Sequence, residues 1–574
     1  MDALVKSLDN QPSYTSQNAK PICRSMTRHL GTACKAVAKR PLPLMLVLGF
    51  VFRAMAAIFF TGPIDLEGAE YARIAQNLVW GNGYAGIAEQ GTQLFFPPLF
   101  PFAIAGVSLL TGDAEIAGRF ISVVMGTLIV LPIYSMASKM YDRRTATIAA
   151  ALVGFHPYLI YMSTTVYCEM TYLALLLTAM CLAFATVEKP TWQYFSFAGA
   201  VYGLAYLVRP DAAACMLMSA TVISFTTLLK KGRGALSTCA RVGLMIGAFI
   251  VIAAPYVIWL SASIGHLRIE GKSPLNIATE RRVQLGENLF DASFGVDSLG
   301  NERGIWNQPN LVTIQNRSLG FKEVGEYILL KTKSVAKNAS DAIANSFPFG
   351  SPPLFAFAVI GLFMRPWSLS LATYQLQIFG VITLMVLTTY FTYSTDVRFY
   401  VLLIPFYCIW GSVGLQRIVS WGSGTVSAMG LPRRYRFGVN LVVWTAGLSV
   451  LLVTSVGFAK TRLANARADR PIKIAGEWLQ VTTAGPVRIL DTATNISFHA
   501  KATHFWMPYC DEATAIRYLE SKRVNVVVIR KSYAELFPYL RTWADKGIPH
   551  PHAKLARSFE IGAREKITIY RIEY

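Results

Sequence analysis

Charge is scarce in this chain: Asp, Glu, Lys and Arg make up 15% of the 574 residues, against about a quarter in an ordinary soluble domain. With 53% hydrophobic residues and a mean hydropathy of +0.40, that scarcity excludes a soluble globular enzyme. Acidic residues are the scarcer sign, 33 against 54 basic ones, which leaves a formal charge of +21. In a soluble protein such an excess would point to nucleic acid. Here much of the Lys and Arg sits in short loops between apolar runs, where the positive-inside bias accounts for it, and no nucleic-acid partner is implied.

Other absences narrow the chemistry. Five of the eight cysteines lie in or beside apolar runs (Cys168, Cys181, Cys215, Cys239, Cys408), and no Cys-x-x-Cys pair occurs. A disulfide framework or a zinc ribbon is thereby excluded. His156, His266, His499 and His504 have no metal-ligand spacing, so no metal set is written in the chain, although a divalent metal stays open as a cofactor. There is no Gly-rich phosphate loop and no repeat of solenoid period. The Asn316, Asn338 and Asn495 sequons inform only if the host glycosylates its secreted proteins.

What is abundant is apolar runs near the ~20 residues that span a bilayer. About eleven recur, at Leu42–Phe60, Phe120–Ala137, Thr145–Tyr161, Met170–Val187, Tyr194–Val208, Ala212–Leu229, Val242–Leu260, Pro353–Met364, Leu371–Tyr390, Phe399–Val413 and Val439–Phe458. The expected fold is a polytopic α-helical membrane protein. Its expected divisions are a basic cytoplasmic tail (1–40), a transmembrane region (41–460) with outer loops at 62–119 and 261–351, and an extracytoplasmic α/β domain (461–574).

Topology follows from charge. The first forty residues carry Lys6, Lys20, Arg24, Arg28, Lys35, Lys39 and Arg40, a lead suited to a signal anchor with the N-terminus inside. Counting "PPLFPFAIAGVSLLTG" as a span would put the basic Lys139–Arg144 and Lys230–Gly234 loops outside. Reading it as an interfacial helix returns both to the cytoplasm. The loops holding Asp65 and Glu67, Glu169, Arg209, and Asp396 with Arg398 then all face outward, in a cell inner (plasma) membrane. After Phe458 short β-rich runs ("VRIL", "VNVVVIR", "KITIYRIEY") alternate with helical ones, which predicts the small α/β domain.

A charge near the bilayer is costly and by default marks function. In "DLEGAEYARIAQNL" Asp65 sits where an N-cap would, and Glu67 and Tyr71 share a face of the helix that follows. A local salt bridge accounts for Glu70 and Arg73. Glu169 opens a span in "YCEMTYLALLL". Arg209 and Arg398 lie on the side that the positive-inside bias disfavours, and fixed outer cations suit a phosphate leaving group.

The set "EGAEYARIAQNLVWGNGY", "FPPLFPF", "GRFISVVMGTLIVLPIYSMASKMYDRRTATIAAAL", a Cys-Glu at a span start, "GLAYLVRPDA" and "RFYVLLIPFY" resembles the bacterial GT-C glycosyltransferases related to protein O-mannosyltransferases and lipid A aminoarabinose transferases. The resemblance runs from Ile64 to Val413 in order. It implies a hexosyl/pentosyl-type transferase with a polyprenyl-phosphate sugar donor, an outward-facing site in the bilayer, inversion at the anomeric carbon, and a protein, lipid or glycan acceptor. It implies catalytic roles for Glu67 and Glu169. Where the family usually has Asp, Glu67 is one methylene longer. Many relatives carry a basic residue just before Pro-Pro-Leu, where this chain has Phe96, so donor phosphate binding is expected at Arg398 or Arg209. Asp65, Tyr71, Tyr84 and Asp396 are expected to contact substrate. The competing reading is a polytopic transporter or lipid flippase, against which the charges gather at one face and not at midplane.

Overall fold

The computed structural model describes residues 41–59, 62–88, 91–229, 235–307, 352–364, 367–389, 397–430, 432–561 and 565–574, with four isolated positions between 325 and 336. The tail 1–40, the Lys230–Gly234 loop and Asp396 lie outside the described residues.

Among the described residues seven helices are long and apolar enough to cross a membrane: Pro41–Phe59, Ala114–Met140, Glu169–Glu188, Ala212–Leu229, Ser237–Ile264, Leu369–Leu387 and Arg398–Ala428. The chain is a multi-pass membrane protein. Three of the expected runs form shorter helices, Pro353–Met364 among them as the 12-residue Pro352–Phe363. Thr145–Tyr161 is divided at His156–Pro157 into Arg143–Gly154 and Pro157–Met162, and Tyr194–Val208 becomes the 15-residue helix Trp192–Tyr206. The run expected to lie along the interface forms Leu99–Thr111, 13 residues long. At 1.5 Å per residue it reaches about 20 Å, short of the ~30 Å hydrocarbon core.

Local chemistry sets these boundaries. The Asp142 carboxylate accepts from the Thr145 amide at 2.8 Å, capping the helix that follows "KMY". Asp113 does the same for Ala114–Leu128 through Ile116 at 2.9 Å. Gly81, at φ 80°, ends the first-loop helix Leu66–Trp80 in the left-handed conformation that glycine adopts without steric cost.

The helix Arg433–Thr482 carries the chain through residue 460 and ends against a five-stranded sheet. The strands are β1 (Arg488–Asp491), β2 (Thr503–Trp506), β3 (Val526–Arg530), β4 (Ala553–Ile561) and β5 (Glu565–Ile572), in the order β2-β1-β3-β5-β4. β1 pairs in parallel with β2 and β3, and β5 joins antiparallel to β3 and β4. Every residue of β3 is buried. Its side chains alternate: Val527 and Ile529 enter a core with Phe505, Tyr518 and Trp543, while Val526 and Val528 enter another with Ile472, Ala475 and Leu479 of the long helix. The long helix is thus one layer of an α/β unit. That unit rests on the segment after the first span, which leads to the site.

Candidate active site

Leu66–Trp80 buries Ala69, Ala72, Ile74 and Ala75 completely. Asp65 occupies its N-cap position and its carbonyl accepts from the Ala69 amide at 2.8 Å, but its side chain makes no capping bond. The cap expected of its carboxylate is absent for that reason. The Asp65 side chain is exposed. Burial, and after it the charge of Asp65, raises the nearby Tyr167 hydroxyl well above its ordinary range.

Glu67, in the first turn, is the centre of the constellation. One carboxylate oxygen meets Lys272 Nζ at 2.5 Å and the other meets Arg398 Nη1 at 2.7 Å. The same Arg398 nitrogen stands 3.6 Å from Glu169 Oε1. Four segments far apart in sequence therefore join in a chain, Lys272 to Glu67 to Arg398 to Glu169. Glu67 is 24% exposed and Glu169 only 3%. Burial alone would push the Glu67 carboxyl up; the Lys272 ammonium and the Arg398 guanidinium overcome it and hold the group well below the usual carboxylate range. Among the described residues no side chain pairs with the second oxygen of Glu169, which is buried.

Sequence reasoning missed Lys272, and the reason is geometric. Gly271 packs so closely that a Cβ there would lie 1.7 Å from the Leu94 carbonyl oxygen and 3.1 Å from Phe95 Cα. That approach sets Lys272 beside Phe96, its ammonium 5.3 Å from the ring centroid. A cation is thus delivered from a separate segment onto the aromatic ring that stands just before Pro-Pro-Leu. The Gly-Lys pair in "IEGKSP" was the available signal, and nothing local to it marks a contact 205 residues away.

The remaining expected residues divide. Arg398 packs over Tyr167 at 4.7 Å and Phe399 at 5.4 Å, which orient the guanidinium. Arg209 is held differently. It pairs with Asp211 at 3.1 Å and lies over Tyr172, with its guanidinium 5.7 Å from the centroid of the same Phe399 ring. Tyr71 shares the Glu67 face as its spacing predicts, but its ring packs on Phe96 and Phe100 and its hydroxyl donates to Cys168 Sγ at 3.3 Å. Tyr84 donates to the Phe96 and Pro97 carbonyls at 2.9 and 3.2 Å and stacks edge-on against Trp259. Both tyrosines build the wall around Phe96. The salt bridge expected between Glu70 and Arg73 does not form. Glu70 accepts from the Ile87 amide at 3.0 Å, and Arg73 donates to backbone carbonyls of the α/β unit. Among the described residues no group of three or more His, Cys, Asp or Glu side chains is placed to hold a metal ion.

Gly68 brings the two acidic segments together. A Cβ on it would lie 3.0 Å from Ile64 Cγ1 and 3.1 Å from the Val166 carbonyl oxygen. The Glu67 turn and the strand of chain leading to Glu169 can approach this closely only without that atom.

Comparison with known proteins bears on this geometry. Residues 96–259 match the family model described as dolichyl-phosphate-mannose-protein mannosyltransferase. No curated protein sequence matches the chain. Among solved structures, ArnT from Cupriavidus metallidurans in the apo state is 15% identical with a TM-score of 0.59, the alignment covering 93% of this chain and 98% of that one. ArnT bound to undecaprenyl phosphate is 14% identical, with a TM-score of 0.54 and coverage of 92% and 97%. The oligosaccharyltransferase AglB of Archaeoglobus fulgidus, in complex with an inhibitory peptide and a dolichol-phosphate, is 13% identical with a TM-score of 0.54, covering 86% and 69%. At such identities the shared property is the fold. The chain has the fold of the GT-C membrane glycosyltransferases, and the resemblance read from its motifs is borne out.

Proposed function

We propose that this chain is an inverting glycosyltransferase, hexosyl or pentosyl in type, that moves a sugar from a polyprenyl-phosphate donor to a protein, lipid or glycan acceptor. The reaction takes place at the outer face of a cell inner membrane, with the tail 1–40 cytoplasmic and 461–574 outside. One observation carries the reading: a single carboxylate, Glu67, in the first outer loop has both oxygens engaged by cations from two other outer segments. The polyprenyl phosphates in the ArnT and AglB structures support the donor class.

Lys272 and Arg398 bind the donor phosphate, whose charge competes with Glu67 for both. As the phosphate takes them, Glu67 recovers basicity and accepts the proton of the acceptor hydroxyl or amine. That atom attacks the anomeric carbon from the face opposite the phosphate, and the carbon–oxygen bond to the phosphate breaks. The lipid monophosphate leaves with its charge held by the same two cations. Glu169 anchors Arg398 and orients the acceptor with its second oxygen. The purified protein is tested with labelled polyprenyl-phosphate sugars. Free lipid phosphate together with acceptor-linked sugar is expected. Movement of donor across vesicles without bond cleavage would instead establish a transporter.

A further inference from the structure

The helix that bears Glu67 is gripped from its far side. Arg73, 6% exposed, donates to the carbonyls of Ala502 at 3.1 Å and of Ser497 and Phe498 at 3.3 Å. Ser497 and Phe498 lie in the last turn of the short helix Thr494–His499 of the α/β unit and Ala502 three residues beyond it; the Ser497 and Phe498 carbonyls also accept from the Ala502 and Lys501 amides, at 2.9 and 3.1 Å. Taking a guanidinium out of water is costly, and here it meets three carbonyls with no carboxylate in salt-bridge contact.

A second bond reaches the catalytic turn itself. Thr494 Oγ1 donates to the carbonyl of Leu66 at 3.1 Å, the peptide immediately before Glu67. A third connection runs through the 85–88 segment. Glu70 accepts from the Ile87 amide at 3.0 Å and Asn77 donates to the Ala85 carbonyl at 2.7 Å, while the Ile87 carbonyl accepts from the His504 amide at 3.0 Å. The α/β unit thus holds Leu66–Trp80 at its first turn, its middle and, through the loop, its last turn. The Asp65 side chain makes no capping bond to this turn, and the Thr494 contact from the distant unit is among those that hold it.

We infer that Arg73, with Thr494, is a positioning residue by which the C-terminal α/β unit sets the place of Glu67 between Lys272 and Arg398. The inference rests on the reading of Glu67 as the base. Its geometric half does not: the α/β unit orders the first turn of this helix whatever reaction follows. A displacement of about 1 Å at a reacting group can cost a hundredfold in rate, so this contact gives the outer unit a direct hold on turnover.

The test uses the full-length protein in lipid nanodiscs, comparing wild type with Arg73→Gln, Arg73→Lys and Thr494→Val. Two readouts are taken: transfer kinetics with a polyprenyl-phosphate sugar, and hydrogen–deuterium exchange of the 66–80 amides. Arg73→Gln is expected to lower kcat about ten- to a hundredfold with donor KM within about twofold, and to speed exchange in 66–72 while β1 and β3 stay protected. Arg73→Lys, which keeps a donor, recovers part of the loss. Thr494→Val moves the same amides less. Unchanged exchange in 66–72 with unchanged kcat overturns the inference, as does loss of protection throughout β1 and β3, which would make Arg73 a folding residue. If wild type transfers no sugar while the exchange pattern appears as expected, the glycosyltransferase reading fails and the positional coupling stands.

Discussion

Arg398 meets Glu67 at 2.7 Å across 331 residues of sequence, and the same guanidinium nitrogen reaches Glu169. One cation therefore sets the spacing of both acidic groups, and in the proposed mechanism this ties donor binding to the protonation of Glu67.

Glu67→Gln keeps size and hydrogen bonding but removes the proton acceptor. Turnover should fall by the ~10²–10⁴ typical of losing general acid–base catalysis while donor binding survives. Glu67→Asp shortens the reach and should leave partial activity. Asp65→Asn should retain most activity, since the Asp65 side chain is exposed and makes no capping bond. Transfer rate and donor affinity for the three variants check this; an active Glu67→Gln beside a dead Asp65→Asn would move the catalytic role to Asp65.

Arg398→Gln and Lys272→Gln should each weaken donor binding by about ten- to a hundredfold, the ~1.5–3 kcal/mol of a charge-assisted contact. Arg398→Gln should also lower thermal stability, because it leaves the nearly buried Glu169 facing Glu67 without the cation between them. Binding of the polyprenyl phosphate alone, measured with Arg209→Gln alongside, decides the assignment. Unchanged affinity in Arg398→Gln with a loss in Arg209→Gln would reverse it.

The pH profile should respond to Lys272. In wild type the Glu67 carboxyl lies well below the usual range, so the base stays ionised as pH falls past ~4.3, the ordinary value for Glu. A depressed carboxyl pKa adds stability that is present above that ordinary value and is lost only as pH falls through the folded-state value. Removing one cation in Lys272→Gln should move the acidic limb of kcat/KM for the free enzyme upward toward ~4.3. An acidic limb identical to wild type would count against the pairing.

Gly68→Ala places a methyl group 3.0 Å from Ile64 and 3.1 Å from the Val166 carbonyl. The expected cost is about 1–3 kcal/mol of overpacking, read as a lower unfolding midpoint, together with reduced turnover as the Glu67 turn is pushed from the Glu169 segment. Gly106→Ala, where no atom lies within 4 Å of the added Cβ, is the control.

Topology is checked by cysteine labelling from outside. A cysteine at Ser532 should react and one at Asp142 should not; the opposite pattern would invert the orientation read from the basic loops.

The membrane class, most of the span positions and the alternation of the C-terminal unit were legible in the sequence, because they follow from properties carried by contiguous residues: hydropathy over ~20 positions and period-2 strands. The place of Glu67 in the first turn of a helix was legible for a similar reason. Glu169 and Arg398 could be picked out as costly charges at span ends, but that one nitrogen of Arg398 would stand between the two carboxylates could not. Tertiary structure alone decided three things. Lys272 arrives over Phe96 through the tight Gly271 contact, Tyr71 and Tyr84 turn to the wall of the site, and Arg73 leaves its helical neighbour Glu70 for carbonyls more than 420 residues away. In each case the deciding contact joins segments with no local pattern in common. A side chain's periodicity states which face of its helix it occupies, whereas the partner on that face is chosen by how the whole chain packs.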